Sequence, residues 1–317
     1  MKILVTGSSG FVGGRVTQMA CDQGWDVLTH GRSAADHVRQ PSIVCALESN
    51  TDWSSALMGV DCVVHCAARV HQMNESPEEA QHAYQDANVL GTLNLARQAV
   101  NAGVKRFIFI SSIKVNGEWT KTGQPFLPTF DAQPEDPYGM SKYQAEVGLW
   151  QLADETGLEV VVIRPPLVYG PGVKANFLSM MNWVSRSLPL PFGAIPAKRS
   201  LVYLDNLADL IITCCTHPVA AGSTFLVSDD HDISISQLLR LLAAVMNVPS
   251  RLIPIPPRLL LWGLSLLGKR AVGQRLCYPL QLDIRATKEK LGWTPPVSLE
   301  AGLRQTVRAY QQQKEQQ

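Results

Sequence analysis

Short apolar runs alternate with stretches of helical spacing through the first half of the chain. "KILVT" (2–6), "DVLTH" (26–30), "DCVVHCA" (61–67), "RFIFISS" (106–112) and "LEVVVIRP" (158–165) are near-continuous apolar runs in which polar residues are few. Strands read this way when helices cover both faces of a parallel sheet. Between them the pattern predicts helices from Phe11, from Asn88 to Ala102 and from Tyr138. The expected fold is α/β, a doubly wound parallel sheet.

Past Arg164 the character shifts. Proline and glycine become frequent in "RPPLVYGPGVKANF" and "SLPLPFGAIPAKRS", and the regular alternation stops. The expected division is a first domain over 1–165 and a smaller ligand-binding α/β lobe over 166–317, some of whose strands return to the first sheet. Helices are expected in it at 206–217, 234–247 and 299–311. The apolar run in "RLLLWGLSLLGKR" (258–270) is about half of the ~20 residues a spanning helix needs, so it is read as a packed helix between Pro256-Pro257 and Lys269-Arg270, with an interfacial helix the alternative.

Composition narrows the function. With 28 Lys and Arg against 27 Asp and Glu, the whole chain offers no broad electrostatic footprint for nucleic acid or an anionic membrane. Seven cysteines without a CxxC pair fit neither a disulfide framework nor a zinc site, and the scattered histidines imply no metal. The thiols and the N-terminal "MKILVTG", which lacks a long apolar segment and cleavage site, lead us to expect a cytoplasmic protein.

Two constellations carry chemistry. "LVTGSSGFVGG" places Gly7, Gly10 and Gly13 between a strand and a helix, where glycine lets backbone approach a pyrophosphate at the helix's positive end, nearest Phe11 and Val12. Tyr138 and Lys142 stand four apart on a predicted helix and share one face. An ammonium there is expected to lower the phenol from its usual value near ~10, so that it exchanges a proton while a hydride moves.

In the pattern TGxxGxxG, and in "NVLGT" (88–92), "FIFISSIKVNGE" (107–118), "YGMSK" (138–142), "RSLVYLDNLA" (199–208) and "LGWTPPVSLEAGL" (291–303), the chain resembles extended short-chain dehydrogenases/reductases of the NAD-dependent epimerase/dehydratase family. The resemblance implies a Rossmann fold, catalysis by Ser112, Tyr138 and Lys142, and cofactor contacts that add Leu47, Ala67, Asn88 and Pro165 to the glycine loop. It implies a UDP-sugar substrate held by Val70, Ser112, Asn176, Arg199 and Arg275, with "LPLPFG" (188–193) on the base. It also implies a homodimer through the helices at 88–102 and 138–156. His71 reads as a solvated loop residue. The Asp-Glu pair that dehydratases carry after the catalytic hydroxyl is Ile113-Lys114 here, which argues against water elimination.

At the adenosine end, Gly31 replaces the acid that binds ribose hydroxyls and Arg32 follows it, which favours NADP(H) over NAD(H), with Arg15 a second contact. Ala46-Leu47 also lacks the carboxylate that relatives often place there. A consumed cofactor must leave, so the first expectation is reduction of a UDP-4-keto-6-deoxy-N-acetylhexosamine in surface-polysaccharide (O-antigen) synthesis. The alternative is a 4-epimerase of UDP-glucose or UDP-N-acetylglucosamine that retains NAD. A non-catalytic NADP-binding regulator is a third reading, and such proteins commonly lose the Tyr or Lys kept here.

Overall fold

Burying apolar runs on both faces yields a seven-stranded parallel sheet. The structure, a computed structural model, describes residues 1–32, 40–70, 77–129 and 134–315. In chain order the elements up to the sixth strand are β1 (Lys2–Thr6), α1 (Phe11–Asp22), β2 (Asp26–Gly31), β3 (Ser42–Val44), α2 (Ser54–Leu57), β4 (Cys62–His65), α3 (Pro77–Tyr84), α4 (Thr92–Asn101), β5 (Arg106–Ile110), α5 (Pro137–Thr156) and β6 (Glu159–Arg164). There follow β7 (Leu167–Tyr169), α6 (Ala175–Ser185), β8 (Lys198–Arg199), β9 (Leu201–Tyr203), α7 (Leu204–Thr216), β10 (Ser223–Leu226) and β11 (Ile233–Ser234). The chain then runs through α8 (Ile235–Val245), α9 (Pro257–Leu266), α10 (Arg270–Cys277), α11 (Arg285–Leu291) and α12 (Leu299–Glu315).

The strand order is β10-β6-β5-β4-β1-β2-β3. It reverses at β1, whose two neighbours are β2 and β4, with Thr6 opposite both His30 and His65. Connections leaving β1 and β4 therefore diverge and open a crevice at the strands' C-terminal ends, the usual ligand position in such sheets. On one face α1 and α7 bury Val16, Ala20, Leu207 and Ile211. On the other, α2, α4 and α5 bury Ala56, Leu57, Leu95, Ala145 and Leu149. A further core joins Tyr169, Phe177, Leu239, Leu242, Leu303 and Tyr310 from α6, α8, α12 and β7.

One expectation needs correction, and a second is refined. The helix expected from Asn88 begins earlier, as α3, and passes through a π-helical stretch at Gln85–Gly91 before α4. The wider turn buries Asn88 beside the loop after β4, and such turns concentrate at functional sites. The run at 258–270 is packed on one face only. Gly273 of α10 lies against Leu261 and Leu264 of α9, and Leu260, Leu261 and Leu264 pack toward the core, which leaves the opposite face of α9 bare. Leu259, Trp262 and Leu266 are 59%, 66% and 68% exposed. Among the described residues no helix is long and apolar enough to cross a membrane.

Candidate active site

The crevice floor is built from glycine. Gly7 adopts φ +68°, and a Cβ on it would lie 2.8 Å from the Ala67 nitrogen; on Gly13 a Cβ would lie 2.3 Å from the Gly7 carbonyl oxygen. Only glycine lets β1, the loop and α1 approach this closely. Gly10 caps α1 without a side chain, so no side chain occupies its first-turn amides at the positive end of the helix. Phe11, Val12 and Gly13 supply those amides.

In front of this loop lies a cleft of about 320 Å³. Of the expected cofactor residues, Gly7, Gly10, Arg32, Leu47 and Ala67 line it. Ser9, His30, Glu48, Cys66 and Asp86 line it too, and the sequence reading missed them. His30 follows from the pairing of β2 with β1, whereas Glu48 arrives from the loop after β3 and Asp86 from the π-helical stretch, and neither leaves a local signal. A glycine cradle at a helix's positive end fits the diphosphate of a nicotinamide dinucleotide, and this depression beside it fits the adenosine.

His30 bonds the Cys45 carbonyl oxygen through Nε2 at 3.0 Å, while its buried Nδ1 has no partner. Burial pushes its pKa down, so the ring is neutral. Arg32 is exposed at the rim. Arg15, expected as a second contact, is tied through its guanidinium to Asp205 at 2.7 and 3.0 Å and is not among the residues that line the cleft. That bond pins α1 to α7.

The catalytic candidates converge where α5 meets the end of β5. Asp136 caps α5 by accepting from the Gly139 nitrogen at 2.8 Å, and Pro137 opens the helix. A Cβ on Gly139 would lie 2.9 Å from the Lys114 carbonyl oxygen, so the turn bearing Tyr138 sits directly on the loop bearing Ser112. Ser112 Oγ accepts from the Lys114 nitrogen at 3.2 Å, leaving its hydroxyl proton free to donate.

Lys142 is 2% exposed and donates to the Ile110 carbonyl oxygen at 2.9 Å, with its ammonium 4.5 Å from the centre of the Phe109 ring. Burial brings its pKa down to about 8. Tyr138 does not show the expected lowering. Burial first, then the charges of Asp136 and Tyr84, push it up to about 12. Lys114 also stands beside it, its ammonium 5.8 Å from the Tyr138 ring centre and 3.0 Å from Asp136.

A buried frame holds these groups. Glu146, one turn beyond Lys142, pairs with Arg164 of β6 at 2.6 Å with both side chains fully buried, and accepts from the Ser111 hydroxyl. Arg164 also donates to Asn116 Oδ1 at 2.9 Å and to the Pro128 carbonyl oxygen at 3.0 Å. Asn88 accepts from the Arg69 nitrogen at 2.7 Å and donates to the Arg69 carbonyl oxygen and Ser141 Oγ, tying the crevice wall to α5. The Pro165 carbonyl oxygen is taken by the Ile113 nitrogen at 3.0 Å.

Of the substrate candidates, Arg199 and Arg275 are brought together. Arg199 Nη1 donates to the carbonyl oxygens of Arg275 and Tyr278 at 2.9 and 3.0 Å, and burial and the charge of Arg275 bring its pKa down to about 10. Such a pair of guanidinium groups suits a diphosphate. Arg275 also lies 3.5 Å from Glu118. Asn176 is exposed in the first turn of α6, and "LPLPFG" is held by Leu190 and Gly193 bonding to residues 251 and 253. Val70 is 59% exposed. His71 lies outside the described residues.

Comparison with known proteins identifies the family. Residues 3–228 match the model of the NAD dependent epimerase/dehydratase family. The chain is 47% identical over 320 residues to a UDP-glucose 4-epimerase of Vibrio cholerae, covering 98% of this chain and 96% of the relative. It is 27% identical, over 96% of its length and 94% of the relative's, to the N-acetyl-alpha-D-glucosaminyl-diphospho-ditrans,octacis-undecaprenol 4-epimerase of Escherichia coli O157:H7. The crystal structure of a Thermotoga maritima UDP-glucose 4-epimerase with UDP-glucose superposes with a TM-score of 0.77 at 25% identity, covering 99% of this chain and 100% of that one. A Bacillus cereus UDP-glucuronic acid 4-epimerase in complex with NAD shares the fold at a TM-score of 0.79 and 21% identity, covering 99% of each chain.

Proposed function

The chain belongs to the NAD-dependent epimerase/dehydratase family, and on that premise we propose that it is a UDP-hexose 4-epimerase that retains NAD through its cycle. The observation that carries this reading is the 47% identity, end to end, with a protein named for that activity. It displaces net reduction of a 4-keto sugar as the first reading. The cleft supports it, because Glu48 and Asp86 on its wall offset the charge of Arg32.

Held by the Gly7–Gly13 loop and the first-turn amides of α1, a nicotinamide dinucleotide would supply a reversible hydride acceptor for the sugar carbon. Tyr138 takes the proton of the C4 hydroxyl as the carbonyl forms and gives it back as the carbonyl is reduced, so the overall reaction is redox-neutral. Ser112 donates to the same oxygen with its free hydroxyl proton. A phenol at about 12 must come down to accept a proton, and positive charge does that; Lys142 shares its helix face and Lys114 approaches its ring. Arg199 and Arg275 hold the diphosphate, and Asn176 and residues 188–193 the remainder of the nucleotide. We infer a homodimer through residues 88–102, the end of the π-helical stretch with α4, and α5; Leu90 in that stretch is 41% exposed.

A second reading rests on one observation, the Gly31-Arg32 pair at the rim, which suits a 2'-phosphate and hence an NADPH-consuming 4-ketoreductase in surface-polysaccharide synthesis. One experiment separates them. The purified protein is given UDP-glucose or UDP-N-acetylglucosamine without coenzyme, and in parallel UDP-4-keto-6-deoxy-N-acetylglucosamine with NADPH or NADH. Interconversion of the 4-epimers, with NAD released on denaturation, supports the epimerase. Steady NADPH oxidation with the ketosugar, and no epimerisation, overturns it for the reductase.

A further inference from the structure

We propose that the hairpin of α9 and α10 docks this protein onto the surface of an anionic lipid bilayer. Leu259, Trp262 and Leu266 recur at helical spacing on one face of α9, at 59%, 66% and 68% exposure, and Leu267 and Val272 extend the patch at 72% and 46%. The opposite face, through Leu260, Leu261 and Leu264, packs inward. Ten residues make a helix of about 15 Å, too short to span a bilayer and suited to lying in its interface. Tryptophan favours that boundary because its ring is apolar while its N–H remains wet.

Charge selects the partner. From Ile233 to Leu282 the chain has no acidic residue and six cations, Arg240, Arg251, Arg258, Lys269, Arg270 and Arg275, all of them exposed except as paired above. The remainder carries 22 Lys and Arg against 27 Asp and Glu. A chain of near-zero net charge is thus polarised along its sequence: the segment that carries the apolar patch is basic, with Glu118 lying 3.5 Å from one of its cations, Arg275, and the acidic excess falls outside it. An anionic surface attracts the first and repels the second, which sets an orientation. A second copy of this chain would set cations against cations across a two-fold contact. Apolar insertion and basic attraction together give reversible docking where neither suffices alone.

The test uses the full chain, sedimented with vesicles of phosphatidylglycerol and phosphatidylethanolamine and, as control, of phosphatidylcholine. Binding to the anionic vesicles should be at least about ten-fold stronger and should weaken with salt. Trp262→Ser/Leu266→Ser and, separately, Arg258→Gln/Lys269→Gln should each weaken it by about ten-fold, with turnover of soluble substrate unchanged. The proposal is overturned by a wild-type protein that stays in solution with anionic vesicles, or by binding that Trp262→Ser/Leu266→Ser leaves intact. It is equally overturned if that variant splits a dimer in light scattering while vesicle binding is absent, which would assign the face to a second copy.

Discussion

Lys142 holds an ammonium that is 2% exposed, hydrogen-bonded to one carbonyl oxygen and set over a phenyl ring. Its folded pKa of about 8 lies below its ordinary 10.5. Between those values the unfolded chain binds more protons than the folded one, so this group's contribution to stability rises with pH across that window. Below it the full penalty remains, on the order of 3 kcal/mol at about 1.4 kcal/mol per pH unit. Lys142→Met should therefore raise the melting temperature at neutral pH while abolishing turnover. The difference between wild type and variant should shrink as pH climbs from about 8 to 10.5. A variant that melts lower at pH 7 would show that the bond to Ile110 outweighs the burial of charge. Tyr138→Phe should behave differently, lowering kcat by roughly 10²–10⁴-fold while leaving bound coenzyme unchanged, because the ring packs and only the proton carrier is lost.

At the scale of elements, the site depends on how α5 is fastened to the sheet. The buried Arg164–Glu146 pair joins β6 to the middle of α5, one turn from Lys142. Removing one partner leaves the other charge buried and unpaired. Arg164→Met should cost about 3–5 kcal/mol in denaturant unfolding, and Arg164→Met/Glu146→Leu should recover much of that loss, since the buried pair itself contributes little net stability. Equal losses in the single and double variants would contradict this account. This clamp also marks a limit of sequence reading. "LEVVVIRP" announces a buried strand, and its arginine gives no hint of a partner eighteen residues back on a helix. The strands β1, β2, β4, β5 and β6, the glycine loop and the Tyr138–Lys142 spacing were legible because each is a local pattern. The place of β10 beside β6, the acids Glu48 and Asp86 in the cleft and the tie between Arg15 and Asp205 were not, because they depend on residues far apart in the chain. The sequence left α9 open between a packed and an interfacial helix for a related reason: apolar spacing marks an apolar face without saying what covers it.

At the scale of the molecule, the loop after β5 meets the α10 region through backbone bonds, a Trp119–Tyr278 ring contact and an ion pair. Glu118 lies 3.5 Å from Arg275 and 4.0 Å from Lys114, which itself stands over the Tyr138 ring. One carboxylate thus faces both the catalytic loop and the arginine proposed to hold the diphosphate. A phosphate oxygen arriving at Arg275 must compete with Glu118, so the free protein holds this cation partly neutralised. The side chains of Arg275 and Glu118 are 50% and 30% exposed, so solvent screens the pair and its strength is about 0.2–1 kcal/mol. Glu118→Gln should then lower KM for the UDP-sugar by up to about five-fold, with kcat changed little, since the residue touches the binding group and not the reacting carbon. Raised salt should narrow the gap between the two proteins by weakening the same pair in the wild type. A KM that rises instead would mean that Glu118 orients Arg275 for the diphosphate rather than competing with it, and Arg275→Lys would then raise KM further, because an ammonium cannot reproduce the two-pronged contact.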